Sequence, residues 1–172
     1  MVKSDFISTA RIPVIKLTFD TASLGYEPSE LEVDITLTDS SEDPHFMKGF
    51  AIISVVQAAV AIGPELRPVI LLLKKLLDEN RLNIPYEGGI GSLPLIAMLM
   101  SFYNTFTYQG MTSAEILVNF LNYYGKSFSP EKASLTWYGE KERIEKSSVF
   151  EIQHPTDSTF NMASSGYRMH EV

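Results

Sequence analysis

The sequence predicts an α+β fold with a helical majority: two strands, then four helices, then a mixed tail. Three observations carry that reading. Residues Leu31 to Thr38 alternate strictly between apolar and polar. From Phe46 to Tyr124 the apolar residues recur at helical spacing instead. From Ser129 onward the chain is polar and irregular, and neither period persists.

Arg11 to Phe19 is rich in β-branched and aromatic residues and runs into the turn-prone stretch Asp20 to Gly25. It reads as a strand, with Pro13 pointing to an edge position. In the second strand Leu31, Val33, Ile35 and Leu37 share one face, and Glu32, Asp34, Thr36 and Thr38 share the other. The two form a hairpin. Phe46 to Ile62 is apolar nearly all round, which predicts an interior helix. Gly63 and Pro64 break it, and a helix from Leu66 to Asn80 follows with a stripe of Val69, Leu72, Leu73, Leu76 and Leu77. Asn83 to Gly91 is a loop. Ser92 suits the N-cap of a helix reaching about Tyr108, with Pro94 tolerated in its first turn. Thr112 or Ser113 caps the last helix, which ends at Gly125. In the tail, Ser148 to Gln153 is a short strand candidate and His154 to Thr159 a turn.

At 172 residues the chain accommodates one domain or parts of two, and 45% apolar with 20% charged residues is globular composition. The absence of cysteine excludes disulfides, zinc–thiolate sites and cysteine nucleophiles. Met1 to Asp5 leads into no apolar segment of the signal-peptide kind. The apolar runs Phe50 to Ile62 and Leu93 to Met100 fall short of the roughly 18 residues a bilayer span needs, so no membrane association is expected. A net charge of −7 with scattered Lys and Arg predicts weak nucleic-acid binding by this chain alone.

Five segments in order resemble the noncanonical poly(A) polymerases and terminal uridylyltransferases. They are Ala10 to Lys16, Val33 to Thr36, Leu66 to Ser92 with its Leu82-Asn83 and Gly88-Gly89-Ile90-Gly91-Ser92 motifs, Leu117 to Lys126, and Phe150 to Asp157. Their spacing is most similar to the nuclear RNA-surveillance members. The resemblance implies residues 1–45 as the last part of a nucleotidyltransferase catalytic domain, a two-strand remnant of its sheet. It implies residues 46–172 as the helical central, PAP-associated domain.

Adding a nucleotide to an RNA 3′ end is phosphoryl transfer with pyrophosphate leaving, assisted by two divalent ions held on carboxylates. Asp34, on the polar face of a strand backed by an apolar one, suits a ligand to Mg²⁺ (or Mn²⁺). On spacing alone it reads first as a solvated strand residue, like Glu32 on the same face. The resemblance makes Asp34 the third catalytic, metal-binding aspartate. The first two, from a Gly-Ser segment followed by Asp-x-Asp, have no counterpart, so the chain is expected to lack the N-terminal catalytic half and to be inactive alone.

The resemblance also implies nucleotide-binding roles for Lys74, Ser92 and Asn161. Lys74 takes the place of a triphosphate-contacting lysine; helix-surface pairs Lys74–Asp78 and Lys75–Glu79 are the alternative. Ser92 stands where a serine at a helix N-terminus meets the triphosphate; a plain cap is the alternative. This chain departs from the pattern at Asp78, where a second lysine is usual, at Leu93, where an aromatic ring stacks on the base, and at His154, where aspartate precedes the proline. Uridine-selective relatives carry histidine where Phe160 stands, so ATP is expected over UTP.

His45 and His170 read as solvated loop residues, Trp137 as buried, and Phe102, Tyr103 and Phe106 as helix packing. The implied partners are an RNA 3′ end, ATP, a zinc-knuckle RNA-binding protein and a helicase, with no DNA, in an intracellular, nuclear setting. Two rivals stand beside this reading: a non-catalytic interaction module derived from such an enzyme, and a uridylyltransferase segment.

Overall fold

The computed structural model describes residues 2–9, 13–36, 52–58, 61, 63–106, 110–143 and 149–168. The chain divides into two units, Met1–Phe50 and Ala51–Val172.

The first unit is a three-stranded antiparallel sheet in the order β1 (Val2–Ile7), β2 (Val14–Asp20), β3 (Glu30–Thr36). The expected hairpin of β2 and β3 is present, closed by a 3₁₀ turn at Thr21–Leu24 that Asp20 caps through Ala22 N. Gly25, at φ 81°, ends that turn in the left-handed region. β1 is an addition that sequence alone did not reveal, and it moves β2 to the centre. Pro13 therefore does not mark an edge strand; it lies just before the first paired residue, Val14, where its missing N–H costs no ladder bond. The register puts Val2, Phe6, Ile15, Leu17, Phe19, Leu31, Val33 and Ile35 on one face.

The second unit holds the helices. α1 (52–58) is the described part of the helix expected over Phe46 to Ile62, the rest of which, 61 excepted, lies outside the described residues; within it Ile52 is buried and Ile53 is 48% exposed. α2 (Leu66–Glu79) buries Leu66, Val69, Leu73 and Leu77 at three- and four-residue spacing. Leu72 and Leu76, predicted for the same stripe, stay outside at 54% and 44% exposure. α3 (Ser92–Phe106) is buried along most of its length. α4 (Ser113–Asn122) starts on a capping box, in which Thr112 and Glu115 satisfy each other's backbone N–H groups, and passes into a π-helical turn at Tyr123–Ser127.

The core centres on Phe102, whose ring meets Phe106, Phe120, Tyr123 and Tyr124 at centroid distances of 5.2 to 6.3 Å. Helix packing is thus the role of Phe102 and Phe106, as expected. Tyr103 donates to Glu65 Oε1 at 2.5 Å, tying α3 to the start of α2.

The tail is more ordered than its polarity suggested. β4 (Ala133–Thr136) and β5 (Gly139–Glu142) form a hairpin, as do β6 (Gln153–His154) and β7 (Asp157–Asn161). Trp137 is buried in the first turn, its carbonyl accepting from Asn104 at 2.9 Å. Of the Ser148 to Gln153 candidate, Ile152 bridges Leu135 in parallel. His45, His170, residues 37–51 and residues 107–109 lie outside the described residues.

Candidate functional site

Lys74 and Ser92 line one cavity of about 460 Å³ in the second unit, together with Leu71, Lys75, Asp78, Asn83 and Ile90. Three elements build it. The C-terminal half of α2 presents Leu71, Lys74, Lys75 and Asp78 from adjacent turns. The expected helix-surface pairing holds for Lys75, which sits 3.4 Å from Glu79 and 3.7 Å from Asp78. Lys74 takes no such partner among the described residues, so its exposed ammonium remains available to a ligand. Asp78 instead accepts from Asn83 Nδ2 at 2.9 Å, fixing the loop residue that opens the Leu82-Asn83 motif's far side.

The second element is the loop 81–91. It begins just past the end of α2 with Arg81 at φ 55°, a left-handed conformation unusual for a residue with a side chain. The loop then closes on itself: Gly89 N–H donates to Ile84 O at 2.9 Å and Ile90 N–H to Leu82 O at 2.7 Å. Gly89 must be glycine, because a Cβ there would lie 2.4 Å from the Leu82 carbonyl oxygen. The third element is the N-terminus of α3. Ser92 is its first residue, and the first-turn N–H groups and the helix dipole favour an anion there. Lys75 is engaged by Asp78 and Glu79, which leaves Lys74, facing such a terminus, as the cation suited to a polyanionic group.

Asn161 does not line that cavity. Its Oδ1 accepts from Ile152 N at 3.0 Å and Ala163 N at 2.9 Å, and its Nδ2 donates to Phe150 O at 3.0 Å. The carboxamide braces the β6–β7 hairpin from within. Phe160, beside it, is 41% exposed with its ring 5.9 Å from that of His154. His154 is buried and its Nδ1 takes the Thr156 N–H at 3.3 Å, the same i+2 turn bond an aspartate makes at that position. Leu93 is half-buried and packs against the core.

Asp34 belongs to the first unit. On the polar face of the sheet it lies opposite Lys16, which in turn lies opposite Asp5. Lys16 Nζ pairs with Glu32 at 3.3 Å. The sequence reading overlooked Asp5 and Lys16, since only the register of β1 aligns them with Asp34. Mg²⁺ or Mn²⁺ needs several hard oxygen ligands. Among the described residues no group of three or more His, Cys, Asp or Glu side chains gathers around one point. Asp34 is a single ligand beside a cation, so these residues do not by themselves fit a two-ion cage.

No family model matches the chain. Poly(A) RNA polymerase protein 1 of Saccharomyces cerevisiae is 22% identical over 170 residues, covering 94% of this chain and 24% of that protein. The inactive non-canonical poly(A) RNA polymerase protein Trf4-2 of Drosophila melanogaster is 24% identical over 180 residues, covering 94% of this chain and 41% of that protein. Among solved structures, the polymerase core of the RNA surveillance complex TRAMP superposes with a TM-score of 0.74 at 19% identity, over 98% of this chain and 54% of that one.

This chain is a relative of the noncanonical poly(A) polymerases. A poly(U) polymerase structure is similar as well. The Cid1 poly(U) polymerase, solved with Mg and 3′-dATP, matches at a TM-score of 0.66 and 22% identity, over 99% of this chain and 64% of that one. The chain thus spans between a quarter and two-thirds of the noncanonical polymerases it resembles here. No helix among the described residues is long and apolar enough to cross a membrane.

Proposed function

We propose that this chain is a segment of an RNA 3′-end adenylyltransferase, one that takes nucleotides from ATP and transfers them by phosphoryl transfer. The single observation that carries this reading is the cavity where an unpaired Lys74 faces the N-terminus of α3 at Ser92. Phosphates suit that pairing of a compact cation with free backbone N–H groups. Lys74 and Ser92 are then the triphosphate contacts. Asn161 acts at one remove, by bracing the hairpin that carries Phe160. Asp34 is the carboxylate offered to a metal-dependent active centre whose other ligands come from elsewhere. Alone, the chain binds nucleotide and does not extend RNA.

Titration of the chain with ATP tests this directly. Lys74→Ala should weaken ATP binding by about tenfold or more, since a charge-assisted contact contributes roughly 1.5–3 kcal/mol. Lys75→Ala, which breaks only surface pairs, should change it little. ATP should outcompete UTP, because Phe160 replaces the histidine of uridine-selective relatives. Equal effects of the two lysines, or a preference for UTP, would refute the assignment.

A second reading is a non-catalytic interaction module. The lone Asp34 beside Lys16 favours it, and so does similarity to a Drosophila relative that is named inactive. Absence of ATP binding would select it. Partnership with a zinc-knuckle RNA-binding protein and a helicase, and a nuclear location, extend the first reading. They rest on the family resemblance; the similarity to the polymerase core of an RNA surveillance complex supports only a role in RNA surveillance.

A further inference from the structure

After β7 the chain turns at residues 162–165 and crosses to the loop between α2 and α3. There it touches both ends of that loop. Arg168 N–H donates to Gly88 O at 2.9 Å, and Arg168 Nη1 donates to Arg81 O at 3.1 Å. The Tyr167 ring lies flat enough on Gly88 that a Cβ there would come within 2.4 Å of Cε2 and Cζ.

The two contacted residues are the conformationally demanding points of the loop. Arg81 is the only non-glycine residue with a positive φ among the described residues, and Gly88 sits at φ 87°. A side-chain-bearing residue holds such a conformation only where its surroundings over-determine it. Arg81 lies two residues before Asn83, and Gly88 two before Ile90; Asn83 and Ile90 both line the cavity with Ser92. The far end of this strap is equally anchored, because Asn161 holds Ala163 N–H and the strand beneath it.

We infer that Tyr167 and Arg168 are positioning residues for the nucleotide cavity. They clamp the 81–91 loop and couple it to the β6–β7 hairpin. The clamp acts through backbone carbonyls and a glycine, so it sets where Asn83 and the start of α3 stand without touching the ligand. This inference rests on the reading of that cavity as a nucleotide site.

Two readouts on the full-length chain test it: ATP affinity, and amide hydrogen exchange of residues 82–91 without ligand. Arg168→Ala should weaken ATP binding about fivefold to tenfold, the effect of one lost charged hydrogen bond relayed through the loop. It should speed exchange in 82–91 while the β4–β5 amides keep their rates. Arg168→Lys can still donate to the Arg81 carbonyl and should restore both. Tyr167→Ala should act like Arg168→Ala, and Tyr167→Phe like the unaltered chain, because the ring and not the hydroxyl meets Gly88. Faster loop exchange with unchanged ATP affinity would overturn the inference, as would losses that Arg168→Lys does not repair or no change in either readout. Failure of the unaltered chain to bind ATP is a different result. It ends the nucleotide reading, and the inference with it, before any variant is compared.

Discussion

The sheet unit and the helical unit differ in what their hydrophobic patterns cover. In the helical unit Leu66, Val69, Leu99 and Ile116 are fully buried and Phe102 is 1% exposed. In the sheet no residue of β1 is buried, and Val2, Phe6 and Leu31 stand 55%, 63% and 49% exposed. A three-stranded sheet whose apolar face is at most half-buried, as at Ile15, Leu17, Phe19 and Val33, contributes less burial than a packed core, since strands need a second layer to be stable. Periodicity therefore states which face wants a partner and not whether one is present. Stability should reside mainly in the second unit.

Substitutions that separate the two units sharpen this contrast most. Phe102→Ala removes the ring at the centre of the aromatic cluster and should cost about 3–5 kcal/mol in urea denaturation. Phe6→Ala, on the open face of β1, should cost well under about 1 kcal/mol. Comparable losses would show that the sheet face is covered in solution.

A smaller effect lies at α4. Thr112→Ala dismantles the capping box and should cost about 1 kcal/mol. The Glu115 carboxyl is held below its ordinary pKa, first by the Thr112 backbone N–H and then by its hydroxyl. A depressed carboxyl stabilises the fold above its unfolded pKa, and that contribution fades as pH falls through the folded value. Acid titration of stability should therefore be flatter in Thr112→Ala below the usual glutamate range.

The smallest change is at alkaline pH. The Tyr103 hydroxyl is pushed up to about 12, chiefly by donating to the Glu65 carboxylate, with burial adding to it. The protonated form is the one the fold favours, so its contribution is complete below the ordinary tyrosine value and is lost between about 10 and 12. Tyr103→Phe should cost roughly 1 kcal/mol or less at neutral pH and remove that alkaline loss. An unchanged alkaline profile would separate Tyr103 from the stability of the helical unit.

What the sequence determined by itself follows from local physics. Alternation in β3, the four-residue rhythm of α2, the cap at Thr112, and the Gly88-Gly89 loop all act within a few residues, and each was legible; the partner role of Glu115 in that cap was not. Lys74 and Ser92 were also legible as candidates, though only through ordered motifs, since a lysine on a helix and a serine at its start are individually commonplace.

Tertiary structure decided what depends on distant partners. β1 has only Val2 and Phe6 to mark its apolar face and becomes a strand by pairing with β2, which also brings Asp5 and Lys16 into line with Asp34. Leu72 and Leu76 read like Leu73 and Leu77 until packing chooses one side of the helix. The three backbone partners of Asn161 come from segments that only the folded hairpin brings to it. The clamp of Tyr167 and Arg168 on the loop at Arg81 and Gly88 spans 87 residues of chain between Arg168 and Arg81. Contacts over such separations leave no periodic trace, because they are set by where whole elements pack and not by the spacing of neighbouring side chains.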